Sequence, residues 1–180
     1  MERPNDIPEE YLDAADQAGV LRLEKFVAEG AAYAFEHRTR PATIGLVLSS
    51  SPLALLAWIG EKYLEWSGPN LSLDEILDAA TLYWFTDTFP RSIFPYRNAG
   101  EPPSNLHGAE KYFLDVPLGY SCFPEDFAPT PVSWVKTTGN LVWYKRHEHG
   151  GHFAAMEEPE AFVEDVDDFV ATVLKNGWQR

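Results

Sequence analysis

The sequence predicts an α/β fold that is rich in helix and short of sheet. Apolar side chains recur at helical spacing over several long stretches, the last of them Phe162, Val163, Val166, Phe169, Val170 and Val173. Only two short apolar runs, Pro117 to Phe123 and Leu141 to Tyr144, read as buried strands. A short helical segment between them, Pro131 to Val135, suits the crossover that joins parallel neighbours. Two strands make no stable parallel sheet, and these helices could cover far more sheet than the chain contains. The sheet is therefore expected to be incomplete, with its missing strands N-terminal to this chain.

The elements follow in order. Tyr11 to Glu36 is helix-rich, with a loosely apolar face of Leu21, Leu23, Phe26, Val27, Ala31, Tyr33 and Ala34. Thr39-Arg40-Pro41 ends it, because proline disfavours helix in the residue before itself. Ser51-Pro52 starts a second helix as N-cap and first position, and Leu55, Leu56, Ile59, Tyr63 and Trp66 share one face of it. Gly68-Pro69-Asn70 closes that helix. Ser72 and Glu75 then match a capping box for a third, running to about Phe85. A short turn of helix is expected near Arg91 to Tyr96. Residues 98–111, rich in Gly, Pro, Asn and Ser, read as an exposed loop. The final helix runs from about Pro159 to Leu174.

Composition narrows the function classes. At 180 residues the chain fits one domain with a sizeable core, and 45% hydrophobic with 23% charged residues is ordinary for a globular protein. A net charge of −14 repels phosphate backbones and anionic membrane faces, so nucleic acid is not an expected partner. Six Trp, eight Tyr and eleven Phe suit an aromatic-lined pocket or a large aromatic core. The one cysteine, Cys122, excludes an internal disulfide and a cysteine-based zinc site. It agrees with a reducing, cytoplasmic location. No apolar h-region follows Met1, so no signal peptide is expected. The apolar run Ile44 to Ile59 is too short and too broken by Ser49-Ser50-Ser51-Pro52 to span a membrane.

The residues that carry chemistry cluster at the end of the chain. Asp126 follows the first strand, and His152 follows the second on the turn Gly150-Gly151-His152 before the last helix. Strand, acid, strand, glycine turn, histidine and closing helix is how an α/β-hydrolase ends, in the chain order nucleophile, acid, histidine. No nucleophile elbow accompanies them, since no two glycines are four apart. Ser49-Ser50-Ser51 lacks the strand–turn setting of a nucleophile and is explained by helix capping. His147, His149 and His152 match no strong metal-site spacing, so no metal is expected.

Several stretches resemble the C-terminal half of the epoxide hydrolases of the microsomal and fungal type. They are Thr39-Arg40-Pro41, Ser51-Pro52-Leu53-Ala54-Leu55-Leu56-Ala57-Trp58 and Glu61-Lys62-Tyr63-Leu64-Glu65-Trp66. Leu82 to Arg91, Pro95-Tyr96-Arg97, Gly119-Tyr120-Ser121-Cys122-Phe123-Pro124 and Gly150-Gly151-His152-Phe153-Ala154-Ala155 complete the set. The likeness runs from about residue 20 to the end. One departure is Ser50-Ser51-Pro52 where the family usually has Asp-Ser-Pro, which removes a carboxylate from a helix start.

This resemblance implies an α/β-hydrolase fold in which residues 1–38 are the end of a helical cap or linker. Residues 39–180 would be the C-terminal part of the core with cap-proximal helices. It implies opening of an epoxide to a vicinal diol through an alkyl-enzyme ester, in detoxification or aromatic hydrocarbon catabolism. An aspartate attacks the ring while two tyrosines hydrogen-bond its oxygen, and a histidine oriented by an acid then activates water on the ester. His152 resembles that base, Asp126 its orienting acid with Glu125 as the alternative, and Tyr96 one of the tyrosines.

The nucleophile, its surroundings, the oxyanion hole and the second tyrosine would lie before Met1, leaving a truncated chain inactive by itself. The implied partners are a small apolar epoxide and water, with no cofactor. Self-association or pairing with an N-terminal half is expected. Two alternatives stand beside this: a catalytically dead remnant or interaction protein, and an α/β-hydrolase acting on an ester or haloalkane.

Overall fold

A computed structural model describes residue 4 and residues 7–98 and 112–178. Most of the segment read as an exposed loop and most of the N-terminal stretch read for a signal peptide lie outside the described residues. The first helix, α1 (Ala14–Lys25), is capped by Asp13, whose carboxylate accepts from Asp16 N at 2.8 Å. It runs into a π-helical turn, Phe26–Gly30, and then into α2 (Ala32–Thr39). The turn depends on Gly30, where a Cβ would sit 2.9 Å from the Phe26 ring.

Pro41 does more than end α2. It sits at the start of α3 (Pro41–Ser49), a helix the sequence reading had not separated from the apolar run around it. Arg40 leaves the helical region ahead of the proline (φ −137°, ψ 45°), and the ring's fixed φ suits a first helical position. The next helix, α4 (Pro52–Trp66), follows at a bend of 117°. Ser51 caps it by accepting from Ala54 N at 3.3 Å. No single helix among the described residues is long and apolar enough to cross a membrane.

The capping box at α5 (Leu73–Thr86) is complete: Glu75 N donates to Ser72 Oγ at 3.3 Å, and Ser72 N donates to Glu75 Oε2 at 2.8 Å. Asp87 ends it in the left-handed region, φ 49°. The short turn expected near Arg91 is two turns, α6 (Phe89–Ser92) and α7 (Pro95–Asn98), divided where Pro95 restricts Phe94. Ile44, Leu48, Leu55, Ile59, Phe89 and Ile93 form the buried core of this helical layer.

Among the described residues the sheet has two parallel strands, β1 (Leu114–Cys122) and β2 (Gly139–Arg146), joined through α8 (Val132–Val135). Both strands start earlier than the apolar runs suggest. Their register slips between Leu114 and Pro117, where proline offers no N–H to the ladder. The chain closes with α9 (Ala154–Glu157) and α10 (Pro159–Lys175). Phe169 of α10 lies so close over β1 that a Cβ on Gly119 would meet its ring at 2.7 Å. The sheet is as short as expected, and apolar side chains stay exposed on α5 (Leu73, Leu82, Phe85) and α10 (Val163, Leu174).

Candidate functional site

The loops after β1 and β2 run on beyond the sheet, still pinned to each other. His147 N donates to Cys122 O at 2.9 Å, and Glu125 N donates to Gly150 O at 3.0 Å. Gly150 holds φ +92° with Phe123 beneath it, so a Cβ there would be strained and would lie 2.7 Å from the ring. Gly151 has Trp66 O where a Cβ would be, at 2.4 Å. Removing both side chains lets the turn drop onto the end of α4. His152 N then donates to Trp66 O at 2.8 Å, filling one of the carbonyls a helix C-terminus leaves open.

This zipping brings Asp126 and His152 together: Nδ1 of His152 lies 3.1 Å from Asp126 Oδ1. Both side chains are partly open, 38% and 31% exposed. The imidazole packs against Phe127 at 4.7 Å, Phe153 at 5.2 Å and Trp66 at 5.3 Å between centroids. Phe26, on the π-helical turn, packs in turn on Phe127 and Trp66. Single π-helical turns within helices occur frequently at functional sites.

Glu125, the alternative acid, faces elsewhere. One of its carboxylate oxygens lies 3.0 Å from where a Cβ on Gly68 would be. Glu157 stands beside it, buried, accepting from Gly68 N at 2.6 Å and from Phe153 N at 2.9 Å. That carboxylate ties the His152 turn to the chain just after α4. Neither the strand-end order nor the glycine turn marked Glu157. The only sequence signal was its place at the last turn before Pro159.

Tyr96 lies in a second part of the site, a cavity of about 300 Å³ that includes Tyr33, Lys62, Tyr63, Trp66 and Phe153. A chain of rings joins it to His152: Tyr96 to Tyr33 at 6.0 Å, Tyr33 to Trp66 at 5.5 Å, Trp66 to His152 at 5.3 Å. Tyr63 also stacks on Phe153 at 4.1 Å. Burial, then interaction with the Tyr96 hydroxyl, pushes the Tyr33 phenol well above its usual value, so it stays protonated as a donor. Tyr33 was read only as an apolar-face residue. The second ring-opening phenol was expected before Met1; within this chain α2 folds back beside α7 and sets another phenol, Tyr33, next to Tyr96. That contact spans residues far apart in sequence, and no local pattern signals it.

The other residues weighed as sites have separate roles. Ser50 Oγ donates to Val47 O at 2.7 Å, and Ser51 caps α4. His147 and His152 face different carboxylates, Asp165 and Asp126.

No family model matches the chain. Known proteins do. The structure of the Aspergillus niger epoxide hydrolase superposes with a TM-score of 0.87 at 48% identity, over 96% of this chain and 44% of that one. A Dothistroma septosporum protein whose name assigns it to the epoxide hydrolases is 46% identical over 172 residues, 93% of this chain. Epoxide hydrolase 1 of Sus scrofa is 37% identical over 147 residues, 73% of this chain. The chain spans 39% and 32% of the length of those two relatives. It belongs to the epoxide hydrolases of the microsomal and fungal type, an α/β-hydrolase family, and corresponds to their C-terminal part.

Proposed function

We propose that this chain carries the base and the ring-opening phenols of an epoxide-hydrolysing site. Tyr96 and Tyr33 hydrogen-bond the epoxide oxygen. As a carboxylate attacks a ring carbon, that carbon–oxygen bond breaks and a phenol proton neutralises the alkoxide. His152 then takes a proton from water, which adds to the ester carbonyl. Asp126 holds the imidazole by Nδ1 and stabilises the imidazolium, which returns that proton to the diol oxygen as the ester carbon–oxygen bond breaks, and the carboxyl group so freed gives its proton back to the phenolate. The observation that carries this reading is the 3.1 Å His152–Asp126 contact beside a cavity edged by two phenols. Ring opening needs an acid for a poor leaving group, and phenols supply one, whereas an ester substrate has less need of it.

No residue of this chain is assigned as the attacking carboxylate, and the exposed apolar side chains of α5 and α10 suit the face that meets the rest of a hydrolase sheet. The test is diol release from a chromogenic epoxide. It is measured first with the 180 residues alone and then with the preceding part of a homologous epoxide hydrolase supplied in the same polypeptide. The expected result is no diol above background in the first case and His152-dependent diol in the second. Diol from the 180 residues alone, abolished in His152→Ala, would overturn the assignment of the nucleophile to another segment. Persistent absence of diol in the longer chain would favour a catalytically dead descendant of the family.

A further inference from the structure

The cavity that holds Tyr33 and Tyr96 is electrostatically unlike the molecule around it. The protein carries a net charge of −14, yet among the described residues none that lines this cavity is a carboxylate. Its polar groups among the described residues are phenols, a serine, two indoles, one histidine and one lysine. The lysine, Lys62 on α4, is largely buried, with 15% of its side chain exposed. Its ammonium stands 4.9 Å from the Tyr33 ring centroid, 5.7 Å from that of Trp58 and 5.9 Å from that of Trp66. Three aromatic faces thus hold the charge in place at the cavity wall. Its ion-pair partner is the adjacent Glu61, whose side chain is 56% exposed and is not part of the cavity lining.

The histidine does not compete for the role of cation. His37 is 5% exposed, and Trp58 Nε1 donates to its Nε2 at 3.0 Å. An indole N–H can only donate, so that imidazole nitrogen must carry no proton and the ring is neutral, with its hydrogen on Nδ1. Burial and the Lys62 charge agree with this, drawing the His37 pKa down to about 4. Nδ1 has no partner among the described residues, which leaves a further donor in the wall. Its ring contacts both phenols, at 4.9 Å from Tyr96 and 5.4 Å from Tyr33. The cavity thus pairs one fixed positive charge with several donors and an apolar lining, and among its described lining residues no carboxylate repels a negative charge.

The geometry points to an anion-selective subsite in this cavity, with the Lys62 ammonium as its charge and a small apolar carboxylate as the class of ligand it takes. This deepens the epoxide reading, since the alkoxide of an opening ring would meet the same ammonium. The subsite itself stands on the cavity's own groups. A volume of about 300 Å³ lies at the small end of the range for ligand pockets and suits a single ring with a short acid arm.

The test is equilibrium binding of phenylacetate and its neutral isostere phenylacetamide to the full chain, followed by tryptophan fluorescence and calorimetry. Phenylacetate is expected to bind about tenfold more tightly, the difference between a charge-assisted and a neutral hydrogen bond. Lys62→Met should erase that preference and Lys62→Arg should keep it. Glu61→Gln, which frees the ammonium from its neighbour, should strengthen phenylacetate and leave phenylacetamide unchanged. Far-UV circular dichroism checks that each variant stays folded. Equal binding of the two probes, binding of neither, or a preference that survives in Lys62→Met overturns the subsite. No epoxide enters this experiment, so its failure is distinct from a failure of the hydrolase reading.

Discussion

Two histidine–carboxylate pairs stand five positions apart on one loop system, and they are built to opposite ends. His147 and Asp165 meet at 2.6 Å, with side chains 11% and 3% exposed. Asp165 also accepts from Ser121 at 2.6 Å and faces Lys145 Nζ at 2.9 Å, so β1, β2 and α10 all converge on one carboxylate. His152 and Asp126 meet at a looser 3.1 Å, and both remain partly open. The buried pair is surrounded by donors and stacked on Phe123, with His147 lying flat on that ring at 4.3 Å. The open pair has an aromatic wall and a cavity nearby. The same two residue types make a structural joint where their partners are all supplied by the fold, and a partly solvated pair, the one proposed above as reactive, where they are not. The joint also supports the open pair: Phe123, pressed by His147, is the ring on which Gly150 rests.

The sharpest break of this contrast is at the joint. Asp165→Ala leaves the largely enclosed His147 imidazole and the part-exposed Lys145 ammonium without their acceptor and should lower unfolding stability by about 3 kcal/mol in urea titrations. The pH dependence follows from the direction of its shift. Although burial opposes it, hydrogen bonds from Ser121, Lys145 and His147 hold the Asp165 carboxyl below its ordinary 3.8. A carboxyl with a depressed folded pKa contributes stability that is present above 3.8 and is lost as pH falls through the folded value. The urea midpoint should therefore drop below about pH 4. Asp165→Asn should lack that portion of the drop.

At the open pair, Asp126→Asn should change stability by less than about 0.5 kcal/mol, because both groups are partly solvated. In the longer, active chain proposed above it should instead slow ester hydrolysis by about a hundredfold or more while sparing ester formation. Trapped alkyl-enzyme would then be visible by mass spectrometry. Glu125→Gln, at a carboxylate that faces Gly68, should leave that step nearly unchanged. The opposite ranking of the two variants would reassign the acid.

A subtler probe is Gly151→Ala. The methyl would meet the Trp66 carbonyl oxygen, which is backbone and cannot swing aside. A cost of about 1–3 kcal/mol is expected, with His152 withdrawn from the end of α4. Loss of protection of the His152 amide in hydrogen exchange, with Asp165 and its partners unperturbed, would mark the effect as local.

Much of this architecture was legible because its signals are local. Ser51-Pro52 and the Ser72–Glu75 box announced two helix starts, since a cap satisfies N–H groups within three residues of itself. The acid and histidine were marked by their places at two strand ends and by a double glycine that only a close approach requires. Pro41 was legible as a stop but not as a start, since the same ring does both and the following residues decide.

The amino-acid sequence by itself determined the helices, the two-stranded parallel pair, and Asp126 and His152 as the residues to watch, because periodicity, caps and turns are written in neighbouring positions. Tertiary structure alone decided that Tyr33 faces Tyr96, that Glu125 turns away while Glu157 ties the turn down, and that His37 and Lys62 share a cavity whose described lining holds no carboxylate. Those facts depend on packing between segments far apart in the chain, where contacts are set by volume and hydrogen-bond satisfaction and leave no short-range pattern to read.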